Sequence, residues 1–188
     1  MTGFTQYTIT DAPEAAKPSL EKVEKALGFI PNLYATFAES PAVLGGYLAL
    51  SASLDKGGLS PSERQLVEIA VSTENRCTYC VAAHSTLAGM LKVRPEIVTE
   101  VRAGAPVGDP KIDALVAFTR AVVTTKGFVP AAAVATFLAA GYSKAQLLEV
   151  VGHVGLKVIA NYVHALAKFP VDEAFQRQRW DAAQLKVA

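Results

Sequence analysis

Apolar residues recur along the chain at spacings near 3.6, and no segment alternates as a half-buried strand would. KPSLEKVEKALGF predicts a short helix that stops at Gly28. Pro31 and Asn32 mark a new start, with Asn32 as the cap of NLYATFAES. Pro41 opens PAVLGGYLALSASLDKGG, which Gly57 and Gly58 end. Ser60, Pro61 and Glu63 give the sharpest signal: a cap residue, a proline at the first helical position, and a capping-box glutamate. The helix they open runs from Pro61 to about Thr73 and buries Leu66, Val67, Ile69 and Ala70.

Glu74, Asn75 and Arg76 break the period, and a second helix follows from about Thr78 to Met90. Pro95 opens a short helix that ends before Gly104. Asp109 and Pro110 start KIDALVAFTRAVVTT, and Val129 and Pro130 begin AAAVATFLAA, closed by Gly141. Ser143 and Gln146 form another capping box at the head of the longest element, which reaches about Lys168. The pattern predicts an all-α fold of seven to nine helices in a single domain over residues 1–188, with 1–16 as an N-terminal arm and 171–188 as a tail. In that tail, VDEAFQRQRW adds a last turn or docks on a neighbour, with Phe175 and Trp180 as packing anchors. Short connections imply that successive helices pack antiparallel. Each half has a proline-started helix, a glycine turn and a long capped helix, a pattern compatible with an internally duplicated unit.

Composition narrows the function. Hydrophobic residues make up 51% of the 188, and charged residues 19%, below the usual quarter, which points to surface buried in an oligomer. The net charge is +1 with no basic run, so nucleic acid is not an expected partner. MTGFTQYTITDAPEA lacks the basic start and apolar stretch of a secretory signal. No window of about 18 residues is uninterruptedly apolar. GHVGLKVIANYVHALA comes nearest and is broken by Lys157, Asn161 and two histidines, so no membrane association is expected. The expected setting is cytoplasmic, where a static disulfide is disfavoured.

The two cysteines fall together in NRCTYCVAAHS, with His84 four residues after Cys80. The pair reads three ways. A structural zinc site needs four ligands, and His84 would have to recruit His153 or His164 from far along the chain. Two cysteines on an apolar helix face can be inert core. A redox dithiol needs Cys77 at or just before the helix start, because side chains one turn apart lie about 5–6 Å from each other at Cβ and a disulfide needs about 3.5–4.5 Å. Unpaired N–H groups at a helix start favour an ionised sulfur, and His84 adds a base or a charged neighbour.

The string LSPSERQLVEIAVSTENRCTYCVAAHSTLA resembles the signature region of the alkylhydroperoxidase D and carboxymuconolactone decarboxylase superfamily, in particular its peroxidase-related branch. GFIPNLYATFAESPAVLGGYLAL resembles the lead-in helices of that branch, and residues 112–175 its second half. The resemblance implies a helical homo-oligomer (a dimer, trimer or hexamer) with a relay of one glutamate, two cysteines and a histidine. On this chain it implies Cys80 as the attacking thiolate, Cys77 as the resolving thiol and His84 as the histidine that helps deprotonate Cys80. The family glutamate falls at Gln65, which can hydrogen-bond but cannot act as a base. Glu68, three residues on, is the candidate substitute. A carboxylate in the apolar run LVEIAV must be hydrogen-bonded or have a raised pKa, and a raised one would suit a relay; otherwise it pairs with Arg64 at the surface. Tyr79 replaces a family histidine between the cysteines, to line the pocket or simply pack.

Asn75 reads as a helix terminator, and Arg76 as a thiolate neighbour or a solvent-facing residue. His153, Lys157, Asn161 and His164 form one polar stripe on the last helix, a solvated face, a surface buried against another subunit or an edge of the dithiol pocket. The expected function is reduction of an organic hydroperoxide by a CxxC dithiol cycle, with no haem, flavin or metal and with an external dithiol reductant. The alternatives are a redox sensor or general disulfide oxidoreductase with little turnover, and a carboxymuconolactone decarboxylase-like enzyme.

Overall fold

The computed structural model describes residues 3–184. Among the described residues it contains α-helices α1 (Lys17–Leu27), α2 (Asn32–Phe37), α3 (Pro41–Leu54), α4 (Pro61–Glu74), α5 (Thr78–Met90), α6 (Pro95–Ala103), α7 (Pro110–Thr124), α8 (Ala131–Ala139) and α9 (Lys144–Ala167), with no strand. Two short 3₁₀ segments, Glu173–Gln178 and Ala182–Gln184, follow. The all-α expectation therefore holds.

Local chemistry sets most helix ends. Ser60 accepts from the Glu63 N–H while the Glu63 carboxylate accepts from the Ser60 N–H, and Ser143 and Gln146 repeat the arrangement on α9. Asp109 caps α7. Two expectations fail. α3 ends at Leu54, before the glycine pair, and Gly57 serves a contact instead: a Cβ there would lie 2.7 Å from the Glu149 carboxyl carbon. Asn32 does not cap α2; it is the first helical residue, and its side chain donates to the Pro170 carbonyl at 3.1 Å. Its N–H donates to the Asp172 carboxylate at 3.1 Å, so a charged acceptor distant in sequence displaces the local amide.

α4 is the central helix and packs on α5, α6, α7 and α9. It runs antiparallel to α5, since Gln65 and Glu68 meet His84 while the Ser72 carbonyl meets the Cys77 N–H. It runs in the same direction as α9. Glu149 accepts from the N–H groups of Gly58 and Leu59 at 2.9 and 3.0 Å, Glu68 meets His153, and Ser72 meets Asn161. One apolar cluster surrounds the cysteines with Leu20, Leu33, Phe37, Tyr47, Leu156 and Phe175, and two others fill the space around α7.

The segment after α9 folds back on the body. Tyr79 donates its hydroxyl hydrogen to Asp172 at 2.5 Å, and Phe175 packs edge-to-face on Phe29 and Tyr79. Phe175 and Trp180 are buried within this chain. α9 is long and apolar enough, by length and composition, to cross a membrane. Here it contacts α3, α4 and α7. Its outward side is the apolar one, with Leu148, Val151, Tyr162 and Leu166 exposed.

Candidate active site

The turn between α4 and α5 places the sulfurs. The Cys77 N–H donates to the Ser72 carbonyl and the Arg76 N–H to the Thr73 carbonyl, the bond pair of a Schellman ending. Arg76 takes the left-handed position at φ 54° and faces solvent, so it is no partner of the thiols. Asn75 is the C-cap of α4, and its amide donates to the Asn161 oxygen at 2.9 Å. Cys77 then becomes the N-cap of α5, its sulfur accepting from the Cys80 N–H at 3.4 Å. Both cysteines are free and buried.

The sulfurs differ in character. The hydrogen bond from the Cys77 thiol lowers the Cys80 pKa against the opposing effect of burial, with help from the Lys157 charge and the Asn161 amide. The same bond, with burial, raises the Cys77 pKa. The surroundings thus favour the ionised form at Cys80 and the protonated form at Cys77, the order that the family resemblance implies.

Glu68 is buried and accepts from two imidazoles, His84 Nδ1 at 2.8 Å and His153 Nδ1 at 2.9 Å. His84 Nδ1 also lies 2.9 Å from the Gln65 side-chain oxygen. The chain keeps an acceptor at 65 and puts the negative charge one turn deeper. Burial alone would raise the Glu68 pKa, but His84, Lys157 and the hydrogen bonds from both imidazoles hold it well below the carboxylate range. A raised pKa is therefore not found. Glu68 is a fixed anion, and its bonds set both rings as Nδ1–H tautomers. The surface pairing with Arg64 is not found either: Arg64 reaches Asp55 at 3.3 Å and the Leu59 carbonyl at 2.9 Å.

Lys157 completes the cluster. It is 1% exposed, and its Nζ lies 2.6 Å from His84 Nε2. Burial opposes its charge, and Tyr47, Glu68 and Cys80 more than reverse this and raise its pKa. An ammonium only donates, so His84 Nε2 accepts and His84 is neutral. Burial first, and then the Lys157 charge, lower its pKa accordingly. The cation that favours the Cys80 thiolate is thus Lys157, with His84 behind it. Asn161 donates to Ser72 Oγ at 3.3 Å. His164 is separate: it stacks on Tyr79 and lies 3.2 Å from the Phe169 carbonyl.

The solvated-face reading of the polar stripe thus fails for His153, Lys157 and Asn161, which share one buried stripe with Val150, Leu156 and Ala160. The opposite, outward side of α9 is the more apolar one. Tyr34, Tyr47 and Asp172 gave no signal in the sequence. A cavity of about 270 Å³ lies against Cys80, His84 and Lys157, and Tyr79 lines it.

Residues 41–121 match the profile of the Carboxymuconolactone decarboxylase family. Among curated proteins, no sequence match was found. The chain superposes on the alkylhydroperoxidase AhpD core of an uncharacterised peroxidase-related protein from Ralstonia eutropha with TM-score 0.80 and 22% identity, covering 95% of this chain and 98% of that one. A peroxidase-related protein from a Silicibacter species gives TM-score 0.80 and 20% identity, covering 94% and 96%. A variant of the debrominase Bmp8 in complex with 2,3,4-tribromopyrrole gives TM-score 0.79 and 19% identity, covering 95% and 96%. The chain thus shares its fold with AhpD-like, peroxidase-related proteins, and the segment that carries both cysteines is similar to the Carboxymuconolactone decarboxylase family.

Two outcomes follow from this electrostatic arrangement. Lys157→Met is expected to slow iodoacetamide alkylation of Cys80 at pH 7 by roughly tenfold or more, because the thiolate loses its cation. An unchanged rate–pH profile would remove Lys157 from this role. Acid should also destabilise the fold. The His84 pKa lies below its ordinary 6.5 and that of Glu68 below its ordinary 4.5, so the unfolded chain takes up each proton first as pH falls. Stability is lost from about pH 6.5 downward through His84, and from about 4.5 through Glu68. Thermal melts between pH 7 and pH 3 are expected to show a shallower slope below 4.5 in Glu68→Gln.

Proposed function

We propose that the chain reduces organic hydroperoxides through a Cys77–Cys80 dithiol cycle. The observation that carries this reading is the buried Cys80 sulfur on the wall of a cavity, its pKa lowered by the hydrogen bond from Cys77 and by the Lys157 charge. Cys80 attacks the terminal oxygen of R–O–O–H. The S–O bond forms, the O–O bond breaks, and the departing alkoxide takes a proton from the Lys157 ammonium, leaving a sulfenic acid and an alcohol. Cys77 then attacks the Cys80 sulfur, and its proton leaves with the hydroxyl as water. An external dithiol reduces the disulfide, becomes oxidised itself, and returns one proton to Cys77 and one to Lys157. His84 steadies the ammonium through Nε2, while Glu68 and Gln65 fix the imidazole. A reducing compartment such as the cytoplasm suits both free thiols.

Mild tert-butyl hydroperoxide should convert the protein to a Cys77–Cys80 disulfide by mass, and dithiothreitol should sustain turnover. Cys77→Ser should stop after one equivalent with a dimedone-reactive Cys80, and Cys80→Ser should be inert. Disulfide formation without sustained turnover would favour the redox-sensor alternative. A decarboxylase-like reaction would leave the dithiol without a role.

A second reading is reductive dehalogenation, favoured by the aromatic lining of the cavity and by the debrominase among the structural neighbours. There Cys80 would take bromine from a ring carbon that gains a proton, and Cys77 would displace bromide as the disulfide closes. Bromide release from 2,3,4-tribromopyrrole under the same reductant separates the two. A homo-oligomer is also inferred, joined through the outward stripe of Val151, Tyr162 and Leu166. Tyr162→Glu is expected to lower the mass measured by sedimentation equilibrium.

A further inference from the structure

We propose that the cavity beside Cys80 binds a small compound built on a single aromatic ring, with the group to be reduced turned toward Cys80 and Lys157. The reading rests on the dithiol site only for the position of the reacting atom.

Aromatic side chains from five separate segments line the cavity: Phe29 before α2, Tyr34 on α2, Tyr47 on α3, Tyr79 on α5 and Phe175 in the 3₁₀ segment. They are already arranged edge-to-face. Tyr34 and Tyr47 lie 6.0 Å apart at 62°, Phe29 and Phe175 5.8 Å apart at 61°, and Tyr79 and Phe175 6.1 Å apart at 83°. A bound ring extends such a network at the same centroid spacing. An alkyl group fills space but makes no ring–ring contact.

The polar groups on the wall narrow the class further. The Tyr79 hydroxyl is held by Asp172 and the Leu33 N–H, the Thr86 hydroxyl donates to the Ala82 carbonyl, and the Tyr47 hydroxyl pairs with Lys157, which leaves the Tyr34 hydroxyl as one polar group apart from the reactive cluster. Cys80, His84 and Lys157 are then the reactive polar side chains, and they lie together. Sugars, nucleotides and peptides, which need polar partners spread over their length, do not match this wall. Size sets the last limit. At about 270 Å³ the cavity lies just below the roughly 300–1,000 Å³ of sites for drug-sized ligands. It is also many times the ~30 Å³ that a water molecule occupies, so hydrogen peroxide would leave it unfilled. Leu27 and Met90, 46% and 74% exposed, mark the mouth.

A matched pair of unreactive alcohols tests the proposal without turnover. 2-Phenyl-2-propanol and tert-butanol differ only in phenyl for methyl, and they are the products of cumene and tert-butyl hydroperoxide. NMR titration of the full chain, wild type and Cys80→Ser, should give at least about tenfold tighter binding of the phenyl alcohol, the size of one added ring contact. Ala83→Leu, which extends a lining residue without removing a ring, should abolish that preference while circular dichroism stays unchanged. If Ala83→Leu does not fold, Leu87→Phe at the same wall should weaken it instead. Equal affinity for the two alcohols would overturn the proposal, as would a ring preference that survives in the filled-cavity variant. Steady-state assays keep the two readings apart. Ring binding without turnover of cumene hydroperoxide sinks the peroxidase reading and leaves this one standing. Equal kcat/KM for cumene hydroperoxide, tert-butyl hydroperoxide and hydrogen peroxide does the reverse.

Discussion

A buried ammonium organises this molecule. Lys157 is almost fully enclosed, and burying an unpaired charge costs several kcal/mol even after relaxation. The surroundings answer that cost with Tyr47, the Glu68 carboxylate, the Cys80 sulfur and the acceptor His84 Nε2. Remove the lysine, and Glu68 keeps only its imidazole partners while Cys80 loses the cation that favours its ionised form. Remove Glu68, and His153 loses the bond that fixes its tautomer, while His84 keeps only the Gln65 oxygen at Nδ1. The reactivity of the sulfur and the integrity of the core therefore depend on the same few contacts.

Those contacts require α4 and α9 to lie side by side in one register. The register is set well away from the chemistry. Glu149 grips the N–H groups at Gly58 and Leu59, and Tyr142 donates to Glu63 at 2.8 Å, so the starts of the two helices are tied to each other. From there, one helical face of α9 delivers His153, Lys157 and Asn161 in turn to Glu68, His84 and Ser72. The sulfurs come from a third helix, whose start is fixed by the Schellman turn that ends α4.

What could be read from the sequence follows from how local each cause is. Capping boxes at Ser60 and Ser143, prolines at helix starts and the break before Cys77 act within a few residues, so helix boundaries and the place of Cys77 were legible. The same local logic misassigned Asn32, because the group that satisfies the α2 amide comes from Asp172. Glu68 stood out as a charge in an apolar run, but its ionisation depends on His153 and Lys157, some ninety residues away. Lys157 and Asn161 were visible as a stripe. Whether a polar stripe faces water or a partner helix is decided by packing, which periodicity alone does not report.

Tyr79 stands between the two cysteines, and its hydroxyl partner Asp172 lies 93 residues later in the chain. On the ribosome, both thiols emerge long before Asp172 and Phe175 exist to close over them. A growing chain therefore carries an open sulfur pair without its aromatic wall. Its period of greatest exposure to stray oxidants ends only when the residues beyond α9 have been made and have docked.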